Sequence, residues 1–159
     1  YRSIIDEWFQ EKFKSVNLKD LYSKILTGDA KGFEDKINEI LMDSISTWDS
    51  NEQFYHGFIL SLLQQAEGYK IVSNRESGTG RFDLEMYHKG SRNKPAAIME
   101  FKVLPKDKPF IILEDVCKKA LKQIEDKKYY HDLKSIGYEK IFKYGITFDG
   151  KVCAIALGE

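Results

Sequence analysis

The amino-acid sequence predicts an α/β (α+β) fold in which a small mixed β-sheet is flanked by helices in the order αβββαββ, preceded by a helical N-terminal extension. Apolar residues recur at three- and four-residue steps up to about residue 46 and again over residues 113–133. Three strand-like runs lie between these regions, and the chain ends in a hairpin-like segment. At 159 residues with 42% apolar content, the chain is long and apolar enough for one domain with a proper core.

The first third of the chain has the spacing of short helices. Its recurring apolar residues are Ile4, Ile5, Trp8, Phe9, Leu18, Leu21, Tyr22, Ile25, Phe33, Ile37, Ile40 and Leu41. Gly28 and Gly32 divide the pattern into about three pieces. We therefore assign residues 1–48 to a helical extension or inter-domain segment and residues 49–159 to the main domain.

The main domain begins with a helix and continues with strands. Asp49 and Glu52 have the spacing of a capping box, and an apolar side follows with Tyr55, Phe58, Ile59, Leu62 and Leu63. The runs YKIVSNRE, GRFDLEMYH and AAIMEFKV are separated by turn-forming residues and predict three strands. A second helix is predicted from about Leu113 to Leu133, and Asp149 and Gly150 predict the turn of the final hairpin.

Composition excludes several classes of protein. No apolar run is long enough to span a bilayer and no signal peptide is recognisable, so we expect a soluble cytoplasmic protein without a membrane partner. The spacing of Cys117 and Cys153 predicts buried thiols and not a metal knuckle or a disulfide. The chain begins at Tyr1 without a methionine, which suggests a piece of a longer protein.

The net charge is zero, from 25 basic and 25 acidic residues, and this excludes a surface that attracts nucleic acid everywhere. It does not exclude a local basic face, and lysines crowd into residues 118–134. On charge pattern alone, such a run is more often the solvated face of a helix.

Charged residues interrupt the most apolar strand. Glu100 and Lys102 lie two residues apart in AAIMEFKV and therefore share one face of the strand. Asp83 lies between Phe82 and Leu84 in the preceding strand, and it can face Glu100 if the two strands pair.

Two carboxylates on one face of a sheet repel each other, and this repulsion raises the pKa of one of them or calls for a cation between them. Lys102 could balance one of them in a structural ion triad. A divalent ion would balance both, and oxygen ligands of this type suit Mg²⁺ or Mn²⁺. These residues alone leave both readings open, although a buried ion triad seldom stabilises a fold.

Three segments resemble one known family. The segments NRESGTGRFDLEMY, AAIMEFKV and ALKQIEDKKYY are similar to the PD-(D/E)XK nuclease superfamily, and more narrowly to the branch found C-terminal to AAA-ATPase-like domains in bacterial proteins. The resemblance covers residues 50–159 and implies a restriction-endonuclease-like core. The proline of the family motif is absent, and Arg81 and Phe82 precede Asp83 instead.

The resemblance implies roles for individual residues. Asp83 and Glu100 would bind the metal with help from the Phe101 carbonyl, and Lys102 would position the attacking water. Glu52 would reach the same metal or a second one, and Gln123 would orient Lys102 or the scissile phosphate. The residues expected to contact nucleic acid are Arg81, Lys119, Lys122, Lys127 and Tyr130. Helical spacing separately places Gln123, Lys127 and Tyr130 along one edge of their helix.

Several of these residues also have simpler interpretations. Glu52 could serve only as a member of the capping box, and His56 could be a packed histidine instead of an acid or base. Arg81 could contact phosphate or pair with Glu76 or Asp83. Gly78 and Gly80 are more typical of a tight hairpin than of a phosphate cradle.

The resulting prediction is a Mg²⁺- or Mn²⁺-dependent nuclease that acts on DNA, attached to an AAA-ATPase-like domain. One alternative is a catalytically silent docking module for nucleic acid or protein. Another is a structural or oligomerisation element, suggested by the neutral charge and the amphipathic first third. The substrate form and the oligomeric state cannot be read from the sequence.

Overall fold

The computed structural model describes residues 7, 11, 13–14, 16–44, 51–76, 80–126 and 128–159. The order of its elements agrees with the predicted αβββαββ core preceded by helices, apart from one additional helix. The helices are α1 (Leu18–Leu26), α2 (Ala30–Ser44), α3 (Glu52–Leu63), α4 (Leu113–Glu125) and α5 (Lys128–Ser135). The strands are β1 (Tyr69–Glu76), β2 (Arg81–His88), β3 (Ala96–Val103), β4 (Ile141–Asp149) and β5 (Val152–Leu157).

The strands form one mixed sheet in the order β1-β2-β3-β4-β5. The β3–β4 pair is parallel, and the other three pairs are antiparallel. Parallel neighbours require a crossover connection, which α4 and α5 provide. The sheet is therefore a three-stranded antiparallel meander, β1–β3, joined by a helical crossover to the hairpin of β4 and β5.

Each face of the sheet packs against its own helices. Side chains of one face, including Phe82, Met99, Phe101 and Tyr144, form a large core with α1, α2 and α3. The other face forms a smaller core with α4 and α5, built from Ala96, Ile98, Ile124, Leu133 and Tyr138. Burial on both faces explains why β3 is almost uniformly apolar, and it makes Glu100 the exception that requires an explanation.

Helices α1 and α2 pack into the large core, although they precede the predicted main domain. Leu21 and Ile25 of α1 and Phe33 and Ile37 of α2 are all buried there. The Tyr144 hydroxyl donates a hydrogen bond of 2.5 Å to the Ile25 carbonyl, which ties α1 to β4. The division of the chain near residue 48 stays a prediction, but these helices contribute directly to the core.

Helix α2 also covers the outer edge of β5. The Asn38 amide donates to the Cys153 carbonyl at 2.9 Å and accepts from the Cys153 amide at 2.7 Å. The Ile155 amide donates to Glu34 Oε1 at 2.9 Å. An uncovered edge strand is a template for pairing with another chain, so these contacts protect β5 from association.

We expect Asn38→Ala to destabilise the protein by about 1–3 kcal/mol, because a backbone donor and acceptor of Cys153 both lose their partner. Urea denaturation measures this change. The matched control is Asp35→Ala on the exposed side of the same helix, where we expect a much smaller effect. Equal stability of the two variants would show that the edge contact contributes little.

The structure corrects the predicted helix over residues 113–133, which is two helices. Asp126 ends α4, and its amide donates to the carbonyls of Gln123 and Ile124. In an unbroken helix, Ile124 and Leu133 would lie about 13 Å apart along the axis. Both residues pack in the same small core, so the chain must turn between them.

The final hairpin also differs slightly from the prediction. Asp149 pairs with Val152 as the last position of β4, so the two-residue loop is Gly150–Lys151. Gly150 has a φ of +60°, and a glycine with positive φ at the first loop position is typical of a type II′ turn.

Two predictions about the class of protein can be compared with the structure. Cys117 and Cys153 are buried free thiols, as predicted, and burial raises the pKa of both. Within the described ranges, no helix is long and apolar enough to cross a membrane.

Candidate functional site

The site begins with two carboxylates that face each other across the sheet. In the β2–β3 register, Asp83 lies directly opposite Glu100, as predicted. Both are buried, with exposed fractions of 6% and 3%, on the face covered by α4 and α5. Phe82 and Phe101 stack in the core on the other face, at a centroid distance of 4.5 Å. Slipping the register by one residue would bring these rings out of the core, so apolar packing holds the two carboxylates opposite each other.

Lys102 lies on the same face of β3, two residues beyond Glu100. It is half-buried, and its cross-strand partner is Arg81. Within the described part of the chain, the Lys102 ammonium lies within 4.0 Å of no carboxylate oxygen and makes no hydrogen bond. The structural ion triad that the sequence left open is therefore not formed, and the ammonium remains available for another group.

Gln123 of α4 connects Glu100 to Arg81. With its amide oriented by hydrogen bonding, Nε2 donates to Glu100 Oε1 at 3.1 Å and Oε1 accepts from Arg81 Nη1 at 2.6 Å. A chain of Arg81, Gln123 and Glu100 therefore crosses from α4 to the two strands. The predicted edge position of Gln123 is correct, but among the described residues its partners are Glu100 and Arg81, not Lys102.

Helix α4 reaches this position because β4 has a glycine beneath it. Gly145 is the β4 neighbour of Glu100 in the parallel register. A Cβ atom at Gly145 would lie 2.1 Å from the Cys117 carbonyl oxygen of α4. The glycine thus permits the close helix–sheet approach that brings Gln123 to Glu100.

Glu52 is the first residue of α3, and its structural role differs from the predicted capping box. The N-cap is Asn51, whose side chain accepts from the Phe54 amide, while Asp49 lies outside the described residues. Glu52 Oε2 instead accepts from the Gly80 amide at 2.7 Å, immediately before β2. Among the described residues, no group of three His, Cys, Asp or Glu side chains is placed to hold a metal. A direct contact of Glu52 with the metal stays a prediction.

His56 packs against the opposite face of the sheet from the carboxylates. Its ring contacts Phe82 edge-on and lies 2.5 Å from the Ser73 hydroxyl. The structure therefore favours the packed histidine over an acid or base. The reason is that Ser73 and Phe82 belong to the face that packs on α3, whereas Asp83 belongs to the other face.

The residues predicted to contact nucleic acid occupy different environments. Lys119 and Lys122 are exposed on α4, and Arg81 is exposed at the start of β2. Tyr130 is half-buried beside the small core, with Lys143 Nζ 5.0 Å from its ring centroid. Its predicted alignment with Gln123 does not hold, because the helix ends between them. Lys127, Gly78 and the side chain of Glu76 lie outside the described residues.

Sequence reasoning missed Glu85, a further carboxylate on the same face. It is 8% exposed, and its buried Oε2 accepts no hydrogen bond within the described structure. Burial, and then repulsion from Asp83 and Asp132, raises the pKa of Glu85 to about 7. Alternation in RFDLEMYH could have identified it, because Glu85 shares the face of Asp83.

In metal-free buffer, we expect Glu85→Gln to stabilise the protein at pH 8 and to have little effect at pH 5. A carboxyl pKa raised by folding means that the native state holds a proton longer than the unfolded state, so stability is lost as pH rises from about 4.5 to 7. Glutamine removes that loss, which amounts to at most about 3 kcal/mol. Melting temperatures at both pH values measure it, and an equal shift at pH 5 and pH 8 would contradict it.

The donor set at Asp83 and Glu100 fits a divalent cation. Two buried carboxylates on neighbouring strands supply hard oxygen ligands, the kind that Mg²⁺ and Mn²⁺ prefer. A cation between them would also relieve the repulsion of two adjacent negative charges. The Phe101 carbonyl as a further ligand stays a prediction.

The chain is similar to a known protein family. The sequence model of the PD-(D/E)XK nuclease superfamily matches residues 50–157, from two residues before α3 to the end of β5. No curated protein and no solved structure matches the chain significantly. Members of this superfamily are nuclease-type phosphodiester hydrolases that generally use divalent metal ions.

Proposed function

This chain belongs to the PD-(D/E)XK nuclease superfamily, and from that premise we propose that it cleaves DNA with the help of Mg²⁺ or Mn²⁺. The observation that carries the proposal is the buried Asp83–Glu100 pair beside a lysine that forms no ion pair with a described residue. Such an arrangement is costly as a structural feature, because buried like charges repel. It suits a site that is completed by a cation and a phosphate.

Asp83 and Glu100 would hold the metal ion, which supplies Lewis-acid polarisation of the phosphate and activation of a water when bound. Lys102 extends from the same face two residues beyond Glu100. Its ammonium would orient the attacking water and stabilise the negative charge that develops on the phosphate oxygens in the transition state.

Gln123 and Arg81 would support this centre from the side. The Gln123 amide donates to Glu100 Oε1, so it holds that carboxylate in one orientation. Arg81 uses Nη1 for Gln123 and has further N–H donors that suit a phosphate oxygen. Glu52 would act indirectly, by fixing Gly80 at the start of β2.

The exposed lysines of α4 would bind the nucleic-acid backbone. Lys118, Lys119 and Lys122 are exposed and form no ion pair with a described residue. Because phosphate contacts carry no sequence information, they would position DNA without selecting bases. An attached AAA-ATPase-like domain and a cytoplasmic location stay predictions.

The test is the melting temperature of the chain against Mg²⁺ and Mn²⁺ concentration, together with DNA cleavage in the same buffers. A ligand that binds only the native state stabilises it by roughly 2.7 kcal/mol at a hundredfold excess over Kd. We expect a metal-dependent rise in the wild type that disappears in Glu100→Gln, and cleavage that follows it. Glu114→Gln, an exposed carboxylate on α4, is the matched control.

Two results would count against the proposal. If neither metal raises the melting temperature, the carboxylate pair is not a cation site. If the metal binds but no DNA is cleaved, and DNA binding persists in Asp83→Ala, the docking module is the better description.

A further inference from the structure

The two edges of the sheet differ in how they are covered. The β5 edge is covered by α2, through the contacts of Asn38 and Glu34 with the β5 backbone. At the other edge, β1 pairs with β2 and with no other strand among the described residues. No residue of β1 is a proline, and none has a positive φ. The backbone of β1 is therefore regular enough to pair with a further strand. An edge of this kind is a ready template for an additional strand.

The hydrogen-bond pattern shows which backbone groups of β1 face outward. The Lys89 amide donates to the Gly68 carbonyl at 2.8 Å, so residues 68 and 89 form a hydrogen-bonded pair of the β1–β2 ladder. Such pairs recur at every second residue, so residues 70, 72 and 74 bond to β2. The amide and carbonyl groups of residues 71, 73 and 75 therefore point away from the sheet.

We propose that β1 pairs with β1 of a second copy of this chain, antiparallel and centred on Ser73. In this register residue 73 lies opposite itself and residue 71 lies opposite residue 75. All three outward-facing residues would then form hydrogen-bonded pairs across the interface. The two sheets would join into one continuous sheet.

Charge complementarity selects this register. Centring on residue 73 places residue 70 opposite residue 76 of the other copy, which is a lysine opposite a glutamate, twice in each dimer. The symmetric registers centred on residue 72 or 74 keep the hydrogen-bond phase, but the first places Lys70 opposite Asn74 and the second leaves Lys70 beyond the end of the partner's β1. Opposite charges stabilise directly facing strand positions, and like charges destabilise them.

The Ser73 side chain is compatible with this interface. Its hydroxyl is directed to α3, where it lies 2.5 Å from His56 Nε2. The backbone amide and carbonyl of residue 73 remain at the outer edge. The twofold axis would run perpendicular to the sheet, so the Asp83–Glu100 pairs of both copies would lie on the same face.

The experiment is sedimentation equilibrium of the chain over a range of concentrations, with Lys70→Glu, Glu76→Lys and the double variant. We expect a wild-type dimer. Each single reversal replaces two attractive contacts with two repulsive ones, so Kd should rise at least about tenfold, and the double variant should restore it. Lys94→Glu in the β2–β3 connection is the matched control, with an unchanged Kd.

Three results of this experiment would contradict the proposed dimer. A monomer at all concentrations, a dimer insensitive to the single reversals, or a double variant that stays monomeric would each overturn the proposal. Circular dichroism on every variant shows whether the fold is intact. Ser73→Pro is a second probe, because it removes an outward-facing amide without removing a β1–β2 bond. It should also abolish the dimer.

Discussion

Replacing Asp83 with asparagine should abolish metal-dependent DNA cleavage, with a loss on the order of a thousandfold or more. Asparagine keeps the shape of the side chain and removes its negative charge. The remaining carboxylate, Glu100, would then face a neutral amide across the strands. The metal-dependent rise in melting temperature should disappear together with cleavage, since both depend on the same oxygen ligands.

Lys102→Ala provides the necessary contrast. If Lys102 positions water and does not bind the metal, the variant should lose cleavage to a similar extent and keep the metal-dependent rise in melting temperature. Lys106→Ala is the control, an exposed lysine four residues further along the chain. Cleavage that survives in Asp83→Asn, or metal binding that is lost in Lys102→Ala, would contradict the assigned roles.

Gly145→Ala should destabilise the fold by about 3 kcal/mol, because an added methyl group overpacks a close helix–sheet contact. The new Cβ would lie 2.1 Å from the backbone oxygen of Cys117, and a backbone atom cannot move aside as a flexible side chain can. For a chain of this size, the melting temperature should fall by roughly 6–12 °C. Helix α4 must shift outward, which would also separate Gln123 from Glu100 and reduce cleavage.

Gly90→Ala is the appropriate control for this substitution. A Cβ at Gly90 would have its nearest neighbour at 3.6 Å, an ordinary van der Waals contact, and Gly90 does not have a positive φ. We expect an unchanged melting temperature there. If Gly145→Ala has the same melting temperature as the wild type, the position of α4 does not depend on this close approach.

The local pattern of residues was sufficient for the order of the elements, apart from the additional helix α5, and for the centre of the site. Alternation along β2 and β3 put Asp83, Glu100 and Lys102 on one face, and adjacency of consecutive strands put the two carboxylates opposite each other. Both inferences depend on neighbours in the chain or on a single hairpin. For the same reason the prediction that a helix begins near residue 113 is correct, although its predicted end is wrong.

Contacts between distant parts of the chain could not be obtained in this way. The turn at Asp126, the contact of Glu52 with Gly80 and the bridge from Arg81 through Gln123 to Glu100 depend on how helices dock on the sheet. The same is true of the cover that α2 provides for β5, which joins residues 38 and 153. Periodicity shows which side of an element is apolar, but not which element it meets or at what distance. Those distances follow from close packing of the whole core, and Gly145 is the clearest example.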